Sequence, residues 1–176
     1  MNEMTEIKQL KKIRKWFWAW EHEKEELWLN TMAQSGWVLE KIGYATFYFT
    51  PCQPGEYTVR LEMRDSDESY ISFMEETGAE FIGKVMKWHY FRKKATFGSF
   101  DIFSDVDSKI EHFKKIANML KAVTIMNLVV GIANSINPSL HIGWINLLCA
   151  TLLAYGLGRI HGRIESLEKE RLLTES

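Results

Sequence analysis

The sequence predicts an α+β domain of ferredoxin-like layout followed by a hairpin of two membrane-spanning helices. Three observations carry that prediction. Strand-like and helix-like patterns alternate through residues 11–94, that region matches itself when shifted by 42 positions, and residues 122–158 contain no Lys, Arg, Asp or Glu.

In the first region, runs rich in β-branched and aromatic residues predict strands at 13–20, 37–42, 46–49, 57–63, 81–86 and 88–92. Helical spacing predicts helices at 23–34 and 67–76. Leu27, Trp28, Thr31 and Met32 give the first an apolar stripe; Tyr70, Ile71, Phe73 and Met74 do so for the second. Ser66 suits an N-cap with acids behind it, and Gly36 and Gly78 stand where helix ends favour a left-handed residue. The 42-residue shift lays Met32 on Met74, Gly36 on Gly78, Tyr48 on Tyr90 and Phe49 on Phe91. It also brings Leu29 onto Ile71, Leu39 onto Phe81 and Glu26 onto Glu68. A strand-helix-strand-strand unit present twice explains the match. Two such units are expected to form one antiparallel sheet with both helices on one face, spanning residues 11–94.

The pattern Glu26-x-Trp28-Leu29-x-x-Met32-x-x-x-Gly36-Trp37-x-Leu39, then Tyr48-Phe49, Tyr57-x-x-Arg60, Tyr70, Gly78 and Tyr90-Phe91-Arg92, resembles the bacterial family called domain of unknown function 2812. The likeness spans about residues 11–115. It implies a soluble domain followed by membrane helices. It also implies a genetic setting beside a PadR-type repressor, in control of envelope-stress or drug-response genes. Ala79 departs from the family pattern, which tends to place a tryptophan after the glycine.

Beyond the domain, residues 95–115 read as a linker and an amphipathic helix. Ser108-x-x-Glu111 resembles a capping box, and Ile110, Phe113, Ile116 and Leu120 form a stripe that runs on into the apolar region. A helix rises ~1.5 Å per residue and a hydrocarbon core is ~30 Å thick, so a span takes ~17–25 residues. The uncharged stretch is long enough for two spans, punctuated by Asn137-Pro138-Ser139, where proline stops a helix. The hairpin is therefore placed at 116–160, with a tail helix at 161–176. Lys109, Lys114, Lys115 and Lys121 precede it, Arg159, Arg163, Lys169 and Arg171 follow it, and the connecting loop carries no base. The positive-inside rule then predicts a multi-pass protein of the cell membrane with both termini in the cytoplasm. A buried hairpin in a soluble core is the alternative. The remaining chain is too short to wrap both helices.

Ala150, Ala154, Gly158 and Gly162 recur at every fourth position and predict a helix-packing strip. It serves either the first span of the same chain or a homodimer seam. Asn127 and Thr151 are expected at similar depth, within reach of a hydrogen bond.

The densest local feature is Trp16-Phe17-Trp18-Ala19-Trp20. As a strand it would align Trp16, Trp18 and Trp20 on one face, with Trp37, Trp88 and Tyr90 on neighbouring strands. That row is either core beneath the helices or an exposed ligand or partner face. If exposed, Glu25, Glu26 and Glu62 nearby would favour a cationic amphipathic ligand. Basic residues cluster at Lys11, Lys12, Arg14 and Lys15, and again at Arg92, Lys93 and Lys94; such runs are solvated edges or contacts to anionic headgroups.

No catalytic group, metal site or cofactor is expected. The five histidines do not pair at ligand spacing, and Cys52 and Cys149 fall in regions that do not meet. Phosphate loops, nucleophile elbows and paired catalytic acids are also missing from the sequence. A net charge of −1 gives no electrostatic reason to expect nucleic acid. The expectation is a non-enzymatic regulatory or sensory membrane protein whose cytoplasmic domain binds a partner or an amphipathic small molecule. Its candidate partners are the membrane, a PadR-type repressor, a transporter to which it is an accessory subunit, or a second copy of itself.

Overall fold

The structure is a computed structural model that describes residues 10–65, 67–103, 105–136 and 142–174. The expected turn at Asn137-Pro138-Ser139 and the expected cap Ser66 lie outside the described residues. The chain divides into two compact units, residues 1–102 and 103–176.

The first unit contains β1 (Lys11–Arg14), α1 (His22–Gln34), β2 (Trp37–Gly43), β3 (Thr46–Pro51), β4 (Tyr57–Met63), α2 (Glu68–Glu76), β5 (Ala79–Val85) and β6 (Trp88–Lys94). The strand-helix-strand-strand unit is thus present twice. Every strand pairing is antiparallel, in the orders β1-β3-β2 and β4-β6-β5. The expected single ladder is instead two three-stranded sheets whose strands β2 and β5 lie side by side.

The 42-residue repeat extends to details that composition does not show. The ladder of β2 with β3 slips between Leu39 and Lys41, and that of β5 with β6 slips between Phe81 and Gly83. A bulge of this kind inserts one residue and sharpens the twist. It leaves each strand on the same side of its partner: Leu39 faces Phe49 as Phe81 faces Phe91. Gly36 and Gly78 follow α1 and α2 with φ of 84° and 83°, which a side chain would resist. The N–H groups of Ser35 and Thr77 bond back to Thr31 and Phe73 to close the two helix ends.

α1 packs on β2 and also reaches β4, whereas α2 packs on β5. One core joins Leu29, Leu39, Phe47 and Phe49 to Val59, Leu61 and Tyr90; a second gathers Met74, Ala79, Phe91 and Phe100. Ala79 is buried in that second core. Its repeat counterpart Trp37 is only half-buried.

Two polar devices hold the arrangement. Strand β4 is the outer strand of its sheet, and Asn30 of α1 covers its edge. The Asn30 amide accepts from Val59 N–H and donates to Val59 C=O, both at 2.9 Å, while the Glu26 carboxylate accepts from Leu61 N–H at 3.1 Å. The second device is Arg92 on β6. Its guanidinium donates to Leu39 C=O at 2.9 Å, to Glu40 at 2.8 Å and to Glu80 at 2.7 Å, tying the first sheet to the second. Burial alone would lower the Arg92 pKa, but the hydrogen bonds and charges of Glu40 and Glu80 raise it.

The α2 cap is Asp67, whose carboxylate accepts from Ser69 N–H and Tyr70 N–H. The Ser69 hydroxyl leads the contacts that hold this carboxyl below its usual range.

The second unit is an antiparallel pair of long helices, α3 (Val106–Ile136) and α4 (Gly143–Thr174). Asp105 starts α3 by accepting from Ser108 N–H at 2.6 Å, so the cap falls one turn before the expected Ser108. The tail expected at 161–176 continues α4 without a break through its described part. Ile110, Phe113, Ile116 and Leu120 on α3 and Ile160, Ile164 and Leu167 on α4 are buried. A Cβ on Gly131 would meet Leu147 Cδ2 at 2.9 Å, so glycine lets the two backbones approach at that level.

Both helices are long and apolar enough to cross a membrane. In the most apolar window of each, only 22% of residues are buried. Ile125, Met126, Leu128, Val129 and Ile132 on α3, and Trp144, Leu148 and Tyr155 on α4, remain exposed.

Candidate functional site

The strand expected over residues 13–20 ends at Arg14, and the reason lies in its partner. β1 runs along β3, which begins at Thr46 opposite Arg14; the last bond of the ladder is Lys15 N–H to Ala45 C=O at 3.2 Å. Beyond it the chain turns into the next hairpin, so residues 16–20 have no backbone to pair with. The chain winds instead into a short 3-10 turn at Ala19–Glu21. Trp16, Trp18 and Trp20 do not alternate on one face. Trp16 meets Trp18 edge-on with centroids 5.5 Å apart, and Trp18 stacks on Trp20 at 5.0 Å.

The remaining aromatic candidates sit in or against the first core. Trp37 sits beneath the Lys11 ammonium, 4.9 Å from its ring. Trp88 stacks on the buried His22 at 5.1 Å. Tyr90 is in the core, 4% exposed. Thus Trp16, Trp18 and Trp20 are together, while Trp37 and Trp88 pack against the core that contains Tyr90.

Trp16 has a neighbour the sequence did not suggest. Tyr44, in the tight turn between β2 and β3, lies edge-on to it with centroids 5.6 Å apart. The two rings are open to solvent, Trp16 at 51% and Tyr44 at 69%. With Arg14, Lys15, Ala45 and Thr46 they line a shallow recess of about 440 Å³. The signal in the sequence was one aromatic residue beside a two-residue turn, which reads equally well as a solvated corner.

The carboxylates expected to favour a cation are engaged inside the fold. Glu25, 8% exposed, accepts from the Tyr90 hydroxyl at 2.7 Å; Glu62, equally buried, accepts from Tyr70 at 2.8 Å and lies 3.5 Å from Arg64. Glu26 pairs with Arg60 at 3.3 Å. Burial raises the Glu25 pKa, partly offset by the Tyr90 hydrogen bond. Burial and the adjacent carboxylates push both tyrosine hydroxyls, Tyr70 and Tyr90, well above the ordinary phenol range. The charged groups that line the recess of Trp16 and Tyr44 are the cations Arg14 and Lys15.

In the second unit, the expected packing strip is divided. Ala150 is buried, whereas Ala154, Gly158 and Gly162 are exposed, and a Cβ on either glycine would meet nothing within 4 Å. The glycines line an open recess of about 720 Å³ with Ala117, Asn118 and His161. Asn127 and Thr151 do not bond each other. Each bonds its own helix, Asn127 to Val123 C=O and Thr151 to Leu147 C=O, both at 2.9 Å. Serine, threonine and asparagine satisfy themselves this way when no partner comes close.

Among the described residues no group of His, Cys, Asp or Glu is arranged to hold a metal ion. Cys52 and Cys149 are free thiols.

Residues 21–125, more than half of the chain, match the family described as a protein of unknown function, DUF2812. The chain belongs to the DUF2812 family. The matched segment starts one residue before α1 and ends within α3, so it takes in the first unit after β1 together with the start of the apolar helix. No curated protein and no solved structure matches the chain.

Proposed function

We propose that this DUF2812 protein is a membrane-anchored, non-enzymatic regulatory or sensory protein. Its first unit lies in the cytoplasm and binds a partner or an amphipathic small molecule. The observation that carries the reading is the apolar surface of α3 and α4. After the helices have packed on each other, Ile125, Met126, Val129, Ile132, Trp144 and Leu148 still face outward. That is a large apolar surface for a soluble chain to leave in water, whereas hydrocarbon accepts it without cost. The basic residues at the far ends of both helices support a cytoplasmic side for the two termini, by the positive-inside rule.

The regulatory part of the reading rests on family setting, with a PadR-type repressor as the proposed partner in an envelope-stress or drug-response system. A second reading, an accessory subunit docked on a transporter, is favoured by one observation. Ala154, Gly158 and Gly162 leave a smooth groove on α4 that α3 does not fill.

Fractionation followed by purification in mild detergent tests these readings together. The protein is expected in the membrane fraction, resistant to alkaline washing, and to co-purify with a repressor. Co-purification with a transporter selects the second reading, and a full-length protein that is monodisperse without detergent refutes both.

A further inference from the structure

The two sheets differ in what covers one of their faces. In the second, the cross-strand row Leu61-Tyr90-Gly83 lies against α1 and the first core, with Leu61 and Tyr90 buried. The row at the same place in the first sheet is Lys12-Tyr48-Lys41. One step along, Met63-Trp88-Val85 corresponds to Arg14-Thr46-Gly43. Where the second repeat carries Leu61, Met63 and Gly83, the first carries Lys12, Arg14 and Lys41, and all three are exposed.

Among the described residues, no carboxylate lies within ion-pair distance of Lys12, Arg14, Lys15 or Lys41. Strands β1 and β3 contain no acid, and Glu40, the acid of β2, is held by Arg92. Aromatic rings support the side chains: Lys12 lies 5.6 Å from the Tyr48 ring centroid, and Lys15 lies 4.8 and 4.5 Å from those of Phe17 and Trp28. At the hairpin end the face continues into the recess of Trp16 and Tyr44.

We propose that this open face of the first sheet docks on the headgroups of anionic phospholipid. Lysine and arginine near a bilayer surface are each worth about 1 kcal/mol against anionic lipid, roughly fivefold in binding. Tryptophan and tyrosine suit the headgroup layer, where an apolar ring and a polar tip are both satisfied. A net charge of −1 makes a local cluster of bases with no acid paired to them among the described residues a directed feature rather than a general bias. The proposal rests on the membrane reading of α3 and α4, because that reading keeps a lipid surface within reach of the face.

The test uses full-length protein in lipid nanodiscs of phosphatidylcholine, with or without phosphatidylglycerol. Each disc contains a lipid bearing a nitroxide quencher on its headgroup. Subtracting the signal of a Trp16→Phe/Trp18→Phe variant isolates the fluorescence of those two indoles. Their quenching is expected to rise severalfold in anionic discs, to fall in high salt, and to lose its dependence on phosphatidylglycerol in a Lys12→Gln/Arg14→Gln/Lys41→Gln variant of unchanged circular dichroism. Equal quenching in both lipids, or an unaltered response of the triple variant, overturns the proposal. Binding of single-stranded DNA in neutral discs, abolished by the same variant, overturns it in favour of nucleic acid. Failure to enter discs at all refutes the membrane reading instead.

Discussion

The first repeat, β1-α1-β2-β3, and the second, β4-α2-β5-β6, keep the same bulges and helix-terminating glycines at an offset of 42, yet their environments differ. Tyr48 lies between two lysines on an open face, whereas its counterpart Tyr90 donates to a buried carboxylate. Asn30 of α1 covers a sheet edge, whereas its counterpart Ser72 of α2 is exposed. The backbone plan sets where the chain turns. Which face is covered decides what the side chains become.

Substitutions at paired positions should break this comparison unequally, read by urea unfolding of the full-length protein in detergent. The largest effect is expected at Arg92. Arg92→Met removes three hydrogen bonds that join the sheets, those to Leu39, Glu40 and Glu80, a loss of ~3 kcal/mol, while Thr50→Val at the equivalent position should cost well under half of that. Arg92→Lys should not rescue, because an ammonium lacks the planar fork that serves three acceptors.

Asn30→Ala comes next. It strips the Val59 N–H of its acceptor and leaves the Val59 C=O only the Arg60 guanidinium, and is expected to cost ~2 kcal/mol, against less than ~0.5 kcal/mol for Ser72→Ala. A similar loss for the two would mean that the edge contact contributes nothing.

Tyr90→Phe should cost ~1–2 kcal/mol because Glu25 loses its donor, while Tyr48→Phe is expected within ~0.5 kcal/mol. The pH dependence sharpens this pair. The folded pKa of Glu25 lies above its ordinary value of 4.5, so the native state holds a proton longer than the unfolded chain does. Its ionisation therefore removes stability as pH rises from about the ordinary value through the raised one. Glu25→Gln, which still accepts from Tyr90, should be more stable than the parent at neutral pH and no more stable at pH 4. A gain of the same size at both values would contradict the assignment.

The smallest effects concern the hairpin turns. Ala45 and Met86 have φ of 47° and 55°. Glycine at either position should stabilise by up to ~1 kcal/mol, by relieving a backbone region that side chains resist.

Much of this fold was legible in the sequence, for identifiable reasons. Gly36 and Gly78 marked both helix ends, and the pairs Leu39/Phe81 and Phe49/Phe91 marked equivalent core positions, because glycine and large apolar groups answer to strict local demands. The bulges were not legible, since Glu40 and Ile82 share no chemistry that announces an inserted residue. The indole strand was misread because strand propensity speaks of a side chain, whereas a strand exists only beside another backbone; Trp16 to Trp20 outrun β3. The α4 strip was half legible. Spacing found the small residues, but only the course of α3 shows that Ala150 is covered and Gly158 is not. Tyr44 was missed because a turn residue 28 positions after Trp16 leaves no periodic trace.

The bond from Asn30 to Val59 has a consequence for the protein in a crowd. An uncovered outer strand is a template on which other chains polymerise into fibrils, and here one terminal template is occupied by the molecule's own helix. The opposite terminal strand, β1, is four residues long and carries Lys11, Lys12 and Arg14, so two copies approaching along it repel each other. Wherever copies of the chain crowd together, they meet along such edges. The geometry of a single asparagine amide helps keep those encounters unproductive.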